Sequence, residues 1–206
     1  MNSPAPAGYL KPSNLVTYGS LLAGLLAVAA VKEWMSWNAA GGLIALSVLL
    51  DTFDGRFAAR FRRSDDQRAF GIQLDSLADA VTFGFVPIVC LLLLPGDAGA
   101  SPAARLGWYA GAILYLVGAL TRLGCYNLHQ AGGDRFLGVP TTLAALLLSA
   151  LYLVRPAAVV SAAALGALAV AMVIPLPVPR PRGAGMVAFV IIVAAVIALH
   201  ALQARG

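Results

Sequence analysis

Long apolar stretches, separated by short segments rich in charged residues, proline and glycine, dominate the chain. We place seven of them, at residues 14–31, 38–61, 70–94, 107–128, 139–154, 157–175 and 185–203. Several exceed the roughly 18 residues that a helix needs to cross a bilayer. None shows the segments of about ten alternating apolar and polar residues that mark a membrane β-barrel. The pattern therefore predicts an all-α, polytopic membrane helical bundle with about seven transmembrane helices.

The number of helices depends on one junction. Only Arg155 and Pro156 separate the fifth and sixth stretches, and they combine a charge that resists burial with a residue that breaks a continuing helix. Merging the two stretches would leave six helices, so we expect a count between six and eight. Because no internal repeat or separate soluble domain is visible, we expect one integral-membrane domain over residues 1–206. It has a short lead at 1–13 and an additional C-terminal helix at 185–203.

Composition agrees with a membrane protein. The 206 residues are 60% hydrophobic and 11% charged, with mean hydropathy +0.84, whereas about a quarter of the residues in soluble domains are charged. The net charge of +5 is spread over the connections and forms no stripe suited to nucleic acid, so membrane lipid is the expected partner. Cys90 and Cys125 lie in apolar stretches and are expected to be buried small side chains.

Basic residues are concentrated in alternate connections between the apolar stretches. Lys11 precedes the first stretch, and further arginines follow the second, fourth and sixth: Arg62, Arg63, Arg68, Arg135, Arg180 and Arg182. Connections rich in Lys and Arg face the cytoplasm. The pattern predicts a multi-pass protein of the cell inner membrane, with its N-terminus inside.

Four of the nine carboxylates lie inside or at the edge of the second and third stretches: Asp51, Asp54, Asp75 and Asp79. A carboxylate at mid-membrane costs about 2.5–3.5 kcal/mol on insertion scales, so this placement requires a compensating partner. Asp51 and Asp54 are three residues apart, and Asp75 and Asp79 are four apart. Each pair therefore projects from one face of its helix. If the two helices are adjacent and antiparallel, both pairs meet at similar depth.

Convergent carboxylates offer hard oxygen ligands, which suit Mg²⁺ or Mn²⁺ better than zinc or copper. The charge balance alone equally permits a structural network in which the aspartates pair with nearby arginines. Those arginines are Arg56, Arg60, Arg62, Arg63 and Arg68. Gly55 and Gly71, beside the two pairs, favour the metal site because they leave a groove that a ligand can enter and that ion pairs do not need.

The spacing of these residues resembles the signature of a known family. Asp51-x-x-Asp54-Gly55 is followed by Ala58 to Arg60, and then by Gly71-x-x-x-Asp75-x-x-x-Asp79. This order resembles the motif of the CDP-alcohol phosphatidyltransferases, integral membrane enzymes of phospholipid synthesis. Further segments resemble bacterial phosphatidylserine synthases of the membrane-embedded type: LDSLADAVTFG at 74–84, RL at 122–123 with YN at 126–127, and FLGVPT at 136–141.

The resemblance implies a function. The family transfers a phosphatidyl group from CDP-diacylglycerol to an alcohol and releases CMP, and the further segments imply L-serine as the acceptor. By the same resemblance the four aspartates hold two divalent ions, Mg²⁺ or Mn²⁺, and Asp79 is also the catalytic base. The resemblance also implies a homodimer, and the active site is expected to face the cytoplasm. Arg122 lies near the end of the fourth stretch, where its guanidinium group must meet an anion or extend to the membrane surface. The carboxylate of the acceptor, a lipid phosphate and one of the motif aspartates are its expected partners. The nucleotide and its diphosphate are expected at Asn14, Thr17, Gly55, Ala58, Arg60 and Gly71.

The sequence departs from the family motif at Arg60. Ala59 stands where the motif has its arginine, Arg60 comes one residue later, and ten residues instead of eight separate it from Gly71. A shift of one residue rotates a helical side chain by about 100°. Arg56 or Arg63 is therefore an alternative contact for the diphosphate.

Two other functions stay open. The same reaction with glycerol 3-phosphate or an inositol phosphate as acceptor would need extra cations near the site, which Arg62, Arg63 and Arg68 could supply. A small cation or metabolite transporter would also place carboxylates at mid-membrane. The transporter predicts internal symmetry, and none is visible in the sequence.

Overall fold

The computed structural model describes residues 5–94, 101–128, 135–179 and 181–205. Arg180, one of the residues that predict the orientation, lies outside these ranges. Within them the chain forms eight α-helices and one pair of short strands. The helices are α1 (Leu15–Trp34), α2 (Trp37–Ala58), α3 (Asp65–Asp79), α4 (Val86–Leu93), α5 (Pro102–Leu128), α6 (Thr141–Tyr152), α7 (Ala158–Val173) and α8 (Ala184–Gln203). The strands are β1 (Arg135–Leu137) and β2 (Pro177–Pro179), which pair antiparallel.

Each of the seven predicted apolar stretches coincides with helix, so the all-α membrane bundle is confirmed. The third stretch is one nearly continuous element in which a π-helical turn, Ala80–Phe85, joins α3 to α4. The fifth and sixth are separate helices, α6 and α7, and at the break Arg155 takes a left-handed backbone conformation with φ of 48°.

Four helical segments of the described chain are long and apolar enough to cross a membrane: Pro12–Trp34, Asp65–Leu93, Pro102–Leu128 and Ala184–Gln203. The helices α6 and α7 are apolar but shorter. In α2, which has 22 residues, Asp51, Asp54 and Arg56 lower the hydropathy of the C-terminal half. Length and composition thus support four spans, and a total of about seven stays a prediction.

Side-chain caps set where the helices of the site begin. At the start of α2, Ser36 Oγ accepts a hydrogen bond of 3.1 Å from the N–H of Ala39. At the start of α3, the Ser64 hydroxyl accepts from the Gln67 N–H at 3.3 Å, and the Gln67 side chain accepts from the Ser64 N–H at 3.2 Å. This reciprocal capping box satisfies two N–H groups of the first turn. It starts α3 at residue 65 rather than at 70, where the apolar pattern begins.

The centre of the bundle is α2, which packs against α1, α6 and α8, while α5 packs along α7. The α5–α7 contact is close, since a Cβ atom at Gly118 would lie 3.0 Å from the carbonyl oxygen of Ala169. Small residues allow membrane helices to approach in this way. Cys90 is buried as expected, but Cys125 is exposed. The expectation was wrong for Cys125 because lipid, and not protein, can cover the outward face of an apolar helix.

Two buried tyrosines hold the π-helical turn after Asp79. Pro87 has no N–H to donate to the carbonyl of Phe83, four residues earlier. The Tyr115 hydroxyl donates to that carbonyl at 2.9 Å, and the Tyr152 hydroxyl donates to the Pro87 carbonyl at 2.6 Å. Neither tyrosine has exposed surface. Helices α5 and α6 therefore supply the hydrogen bonds that keep this irregular turn in place within the third stretch.

The two strands connect the segment before α6 to the segment before α8. The N–H of Gly138 donates to the Leu176 carbonyl at 2.9 Å, and that of Val139 donates to the Ala171 carbonyl at 2.9 Å. Gly138 has φ of 76°, and a side chain there would collide with the carbonyl of Met172. Only glycine fits both conditions. The pairing fixes where α6 begins, and hence the position of Pro140 and Thr141.

Candidate active site

The structure brings the four aspartates of α2 and α3 together, and we call this group the carboxylate cluster. Asp51, Asp54 and Asp75 are half-buried, and one oxygen from each lies within 4.8 Å of the others. Asp79 is one helical turn beyond Asp75, and its carboxyl group lies beside that of Asp51. The convergence follows from the i,i+3 and i,i+4 spacings, which place each pair of aspartates on one face of its helix.

Among the described residues, the arginines at the end of α2 and in the α2–α3 connection form no ion pair with the carboxylate cluster, whereas Arg122 of α5 is close enough to Asp51 to attract its charge. In the part of the chain that the structure describes, the ion pair present joins Arg68 to Asp65 at 3.7 Å, and both side chains are exposed. Asp54 accepts a hydrogen bond of 3.0 Å from the Thr17 hydroxyl. Oδ1 of Asp75 is buried and has no hydrogen-bond partner. The alternative that the sequence allowed, a network of ion pairs with Arg56, Arg60, Arg62, Arg63 and Arg68, is therefore not formed among the described residues.

An orphaned, buried carboxylate oxygen is costly unless a cation meets it. Three oxygens this close together, all from carboxylates, match the ligands of Mg²⁺ or Mn²⁺. The residues present thus fit a divalent metal site. Asp51, Asp54 and Asp75 supply its ligand atoms, with Asp79 adjacent.

A cavity of about 310 Å³ lies on one side of the cluster, and we call it the glycine-side cavity. Five of the residues expected at the nucleotide line it, together with Asp54 and Asp75: Asn14, Thr17, Gly55, Ala58 and Gly71. A Cβ atom at Gly55 would meet nothing within 4 Å, so this glycine leaves open space. The structure does not bring Arg60 to this wall. Arg60 is exposed just beyond the end of α2, whereas Ser13, Arg63 and Arg68 line the cavity.

A smaller cavity of about 150 Å³ lies on the other side of the cluster, and we call it the Tyr126 cavity. All four aspartates and Arg122 line it, with Ser76 and the start of α6. Arg122 is 8% exposed, and its guanidinium carbon lies 5.2 Å from the centre of the Tyr126 ring. Asp54 and Asp75 border both cavities. The carboxylate cluster is thus a shared wall between two separate spaces.

A third cavity, of about 620 Å³, extends from the same place toward α8. It shares Asp51, Tyr126, Pro140 and Thr142 with the Tyr126 cavity. The rest of its wall includes Thr52 and Arg182 but is otherwise largely apolar, with Phe189 and other residues of α8. The cluster therefore communicates with an apolar space beside a membrane-length helix.

Sequence reasoning assigned no role to several residues that line these cavities. Tyr126 follows Arg122 by four residues on α5, so helical spacing could have placed it on the same face. Ser76 lies next to Asp75 and exchanges hydrogen bonds of 3.0 and 2.8 Å with Asn127. Ser13 and Thr142 carry no sequence signal that distinguishes them from other polar residues at helix starts.

Comparison with known proteins gives a consistent result. A sequence model of the family described as CDP-alcohol phosphatidyltransferase matches residues 11–204. The chain is 35% identical over 118 residues to the archaetidylserine synthase of Methanothermobacter thermautotrophicus, which covers 57% of this chain and 48% of that protein. It is 33% identical over 141 residues to the CDP-diacylglycerol–serine O-phosphatidyltransferase of Helicobacter pylori, covering 68% of this chain and 55% of that protein.

The protein of the same name from Bacillus subtilis is 30% identical over 139 residues, covering 65% of this chain and 71% of that protein. The chain spans about half the length of the Methanothermobacter and Helicobacter relatives. The family match covers nearly all of the chain, including the carboxylate cluster and both cavities beside it. The chain belongs to the CDP-alcohol phosphatidyltransferase family.

Proposed function

We propose that the protein transfers the phosphatidyl group of CDP-diacylglycerol to the hydroxyl of L-serine, forming phosphatidylserine and releasing CMP. One observation carries the proposal. Four carboxylates converge, and two of them, Asp54 and Asp75, border two separate cavities, as a reaction between two separately bound substrates requires. The names of the relatives, which are serine phosphatidyltransferases and an archaetidylserine synthase, support serine as the acceptor.

In this proposal Asp51, Asp54, Asp75 and Asp79 hold two divalent ions, Mg²⁺ or Mn²⁺. When bound, such ions neutralise a diphosphate and stabilise the charge that develops on the oxygens of the reacting phosphorus. The orphaned Oδ1 of Asp75 and the close approach of three carboxylate oxygens support this assignment.

The cytidine nucleotide occupies the glycine-side cavity. Gly55, Ala58 and Gly71 leave room for it, and Asn14 and Thr17 supply polar contacts. Arg60 lies outside this lining, and we propose no contact for it. The apolar cavity beside α8 adjoins the same cluster and is compatible with a substrate that carries long acyl chains.

The acceptor enters the Tyr126 cavity, where Asp79 acts as the base. Its carboxylate takes the proton of the serine hydroxyl, and the serine oxygen forms a bond to the phosphorus that carries diacylglycerol. The bond from that phosphorus to the oxygen of CMP breaks, and its electron pair leaves with CMP. Arg122, buried in the wall of the same cavity, binds the carboxylate of serine by charge-assisted hydrogen bonds.

The position of the arginines of the α2–α3 connection favours serine over a phosphorylated acceptor. Glycerol 3-phosphate or inositol phosphate would need several cations near the Tyr126 cavity, where Arg122 lines that cavity and Arg182 lines the adjoining one. Arg63 and Arg68 line the opposite cavity. The extra arginines of the α2–α3 connection are thus on the nucleotide side of the cluster.

We further propose that residues 1–206 form a single domain, which is a homodimer in the cell inner membrane with the carboxylate cluster near the cytoplasmic face. The arginines of the α2–α3 connection support this orientation.

The test measures release of CMP from CDP-diacylglycerol by the purified full chain with Mn²⁺ or Mg²⁺. L-serine, glycerol 3-phosphate and inositol phosphate are offered separately. We expect release that depends on serine and metal, is lost in Asp79→Asn and persists in Asp66→Asn, a change at an exposed position of α3. Release only with another acceptor would contradict serine as the acceptor. No release by folded protein with any acceptor would contradict the proposed reaction and favour a transporter.

A further inference from the structure

Arg63 occupies an unusual position in the connection between α2 and α3. It is half-buried and lines the glycine-side cavity, which Asp54 and Asp75 also line. Its side chain reaches Gly71 on α3: the Nη1 atom lies 3.3 Å from the position that a Cβ atom on residue 71 would occupy. A larger residue at position 71 would therefore push the guanidinium group away from the cavity wall.

The local backbone holds Arg63 in this place. Helix α2 ends at Ala58, and Arg63 directly precedes Ser64, the capping residue of α3. Because the capping box with Gln67 fixes the backbone of Ser64, the preceding residue has little freedom to turn away. Arg60 is three residues earlier, in the turn that follows α2, and is exposed.

The charge of Arg63 has no partner among the residues that the structure describes. In the described part of the chain it forms no ion pair, in contrast to Arg68, which pairs with Asp65 at 3.7 Å. A half-buried guanidinium group without a partner is unfavourable. Beside a cavity, that unmet charge is a binding site for an anion, and guanidinium groups match phosphate in geometry.

We propose that Arg63 binds the diphosphate of the cytidine nucleotide, a contact that the family resemblance would give to Arg60. This proposal rests on the function proposed above and deepens it. Arg60 lies outside the lining of the cavity, whereas Arg63, directly before the cap of α3, lines the cavity that Asp54 and Asp75 also line. The diphosphate then lies between Arg63 on one side and the metal-binding aspartates on the other.

The test compares binding of CDP, a soluble nucleoside diphosphate, with binding of cytidine to the purified full chain with Mn²⁺, by equilibrium dialysis. A charge-assisted hydrogen bond is worth enough to change affinity by roughly tenfold or more. We expect Arg63→Ala to weaken CDP binding by about that factor and to leave cytidine binding unchanged. Arg63→Lys should recover part of the loss, because it keeps the charge but not the planar fork.

Arg62→Ala is the matched control, since Arg62 is exposed and adjacent in sequence. It should bind CDP like the unmodified protein, and so should Arg60→Ala. A cooperative thermal unfolding transition shows that each variant is folded. If Arg63→Ala does not fold, the comparison is made with Arg63→Lys, which should lose part of the CDP affinity. A larger loss for Arg60→Ala, an equal loss for CDP and cytidine, or no CDP binding by the unmodified protein would overturn the proposal. CDP binding that depends on Arg63 without serine-dependent CMP release would uphold it and contradict only the proposed reaction.

Discussion

Thr17 on α1 donates a hydrogen bond of 3.0 Å to Oδ2 of Asp54 on α2. One turn deeper, the hydroxyls of Ser20 and Ser47 each donate to the other residue's carbonyl at 3.0 Å. These contacts join α1 to α2 through polar groups, and the Ser20–Ser47 pair is buried where water cannot replace its hydrogen bonds. The orientation of one carboxylate in the cluster is therefore set by a helix that contributes no carboxylate itself.

The first prediction concerns this hydrogen bond. Thr17→Val keeps the shape of the side chain but removes the donor, so Asp54 loses its orientation. Loss of a partner that orients a ligand typically costs 10- to 100-fold in metal affinity or activity, and we expect about that loss of Mn²⁺ affinity here. Titration of Mn²⁺ followed by electron paramagnetic resonance measures the change. Thr17→Ser retains the hydroxyl and should bind Mn²⁺ nearly as the unmodified protein does; equal affinity in all three proteins would refute the role of the hydroxyl.

The second prediction concerns the ligands themselves. Asp51→Asn and Asp75→Asn each remove one anionic oxygen donor from the group within 4.8 Å. We expect each change to lower metal affinity and CMP release by on the order of a hundredfold, because the remaining carboxylates offer less charge to a hard cation. Asp66→Asn, at an exposed position of the same helix as Asp75, should change neither quantity.

Chelation provides an independent check of the same site. EDTA should abolish CMP release, and added Mn²⁺ should restore it. Release that survives exhaustive chelation would show that the cluster acts without metal.

The third prediction concerns Gly55, where stability and binding should change in opposite directions. A Cβ atom there meets nothing within 4 Å, so alanine introduces no clash in the protein. Alanine in place of a helical glycine gains roughly 0.5–1 kcal/mol, so Gly55→Ala should unfold at a slightly higher temperature. Its methyl group projects into the glycine-side cavity and should weaken CDP binding.

Gly166→Ala is the control for Gly55→Ala, because Gly166 is also helical with open space around it but lies on α7, away from the cavity. It should gain stability without a change in binding. If Gly55→Ala binds CDP as tightly as the unmodified protein, the nucleotide does not occupy this cavity.

The fourth prediction concerns the π-helical turn. Tyr115→Phe removes the donor to the Phe83 carbonyl at a position where Pro87 offers no N–H. An unmet buried acceptor costs about 1–3 kcal/mol, so the unfolding temperature should fall by several degrees. Tyr109→Phe is the control, because Tyr109 lies on the same helix and is 51% exposed. It should leave the unfolding temperature almost unchanged. Equal unfolding temperatures for the two variants would mean that the Phe83 carbonyl has another partner.

Much of the fold could be predicted because each helix carries its own signal. The seven apolar stretches all correspond to helix, and the break at Arg155 and Pro156 is where charge and proline place it. The start of α3 was misplaced because a polar capping box, rather than apolar periodicity, begins that helix. The π-helical turn carries no local signal, since buried hydroxyls from α5 and α6 stabilise it.

The sequence by itself determined the membrane class of the protein and the pairing of its aspartates, because hydropathy and i,i+3 or i,i+4 spacing act within one helix. It could not decide whether arginines neutralise those aspartates, since charge balance allowed both arrangements. Only the tertiary structure shows that Arg60 is exposed while Arg63 faces the glycine-side cavity. The path of a connection depends on the caps and helices at both of its ends. The two cavities likewise exist only after α1, α5 and α6 pack around α2 and α3, because their walls combine residues that are distant in sequence.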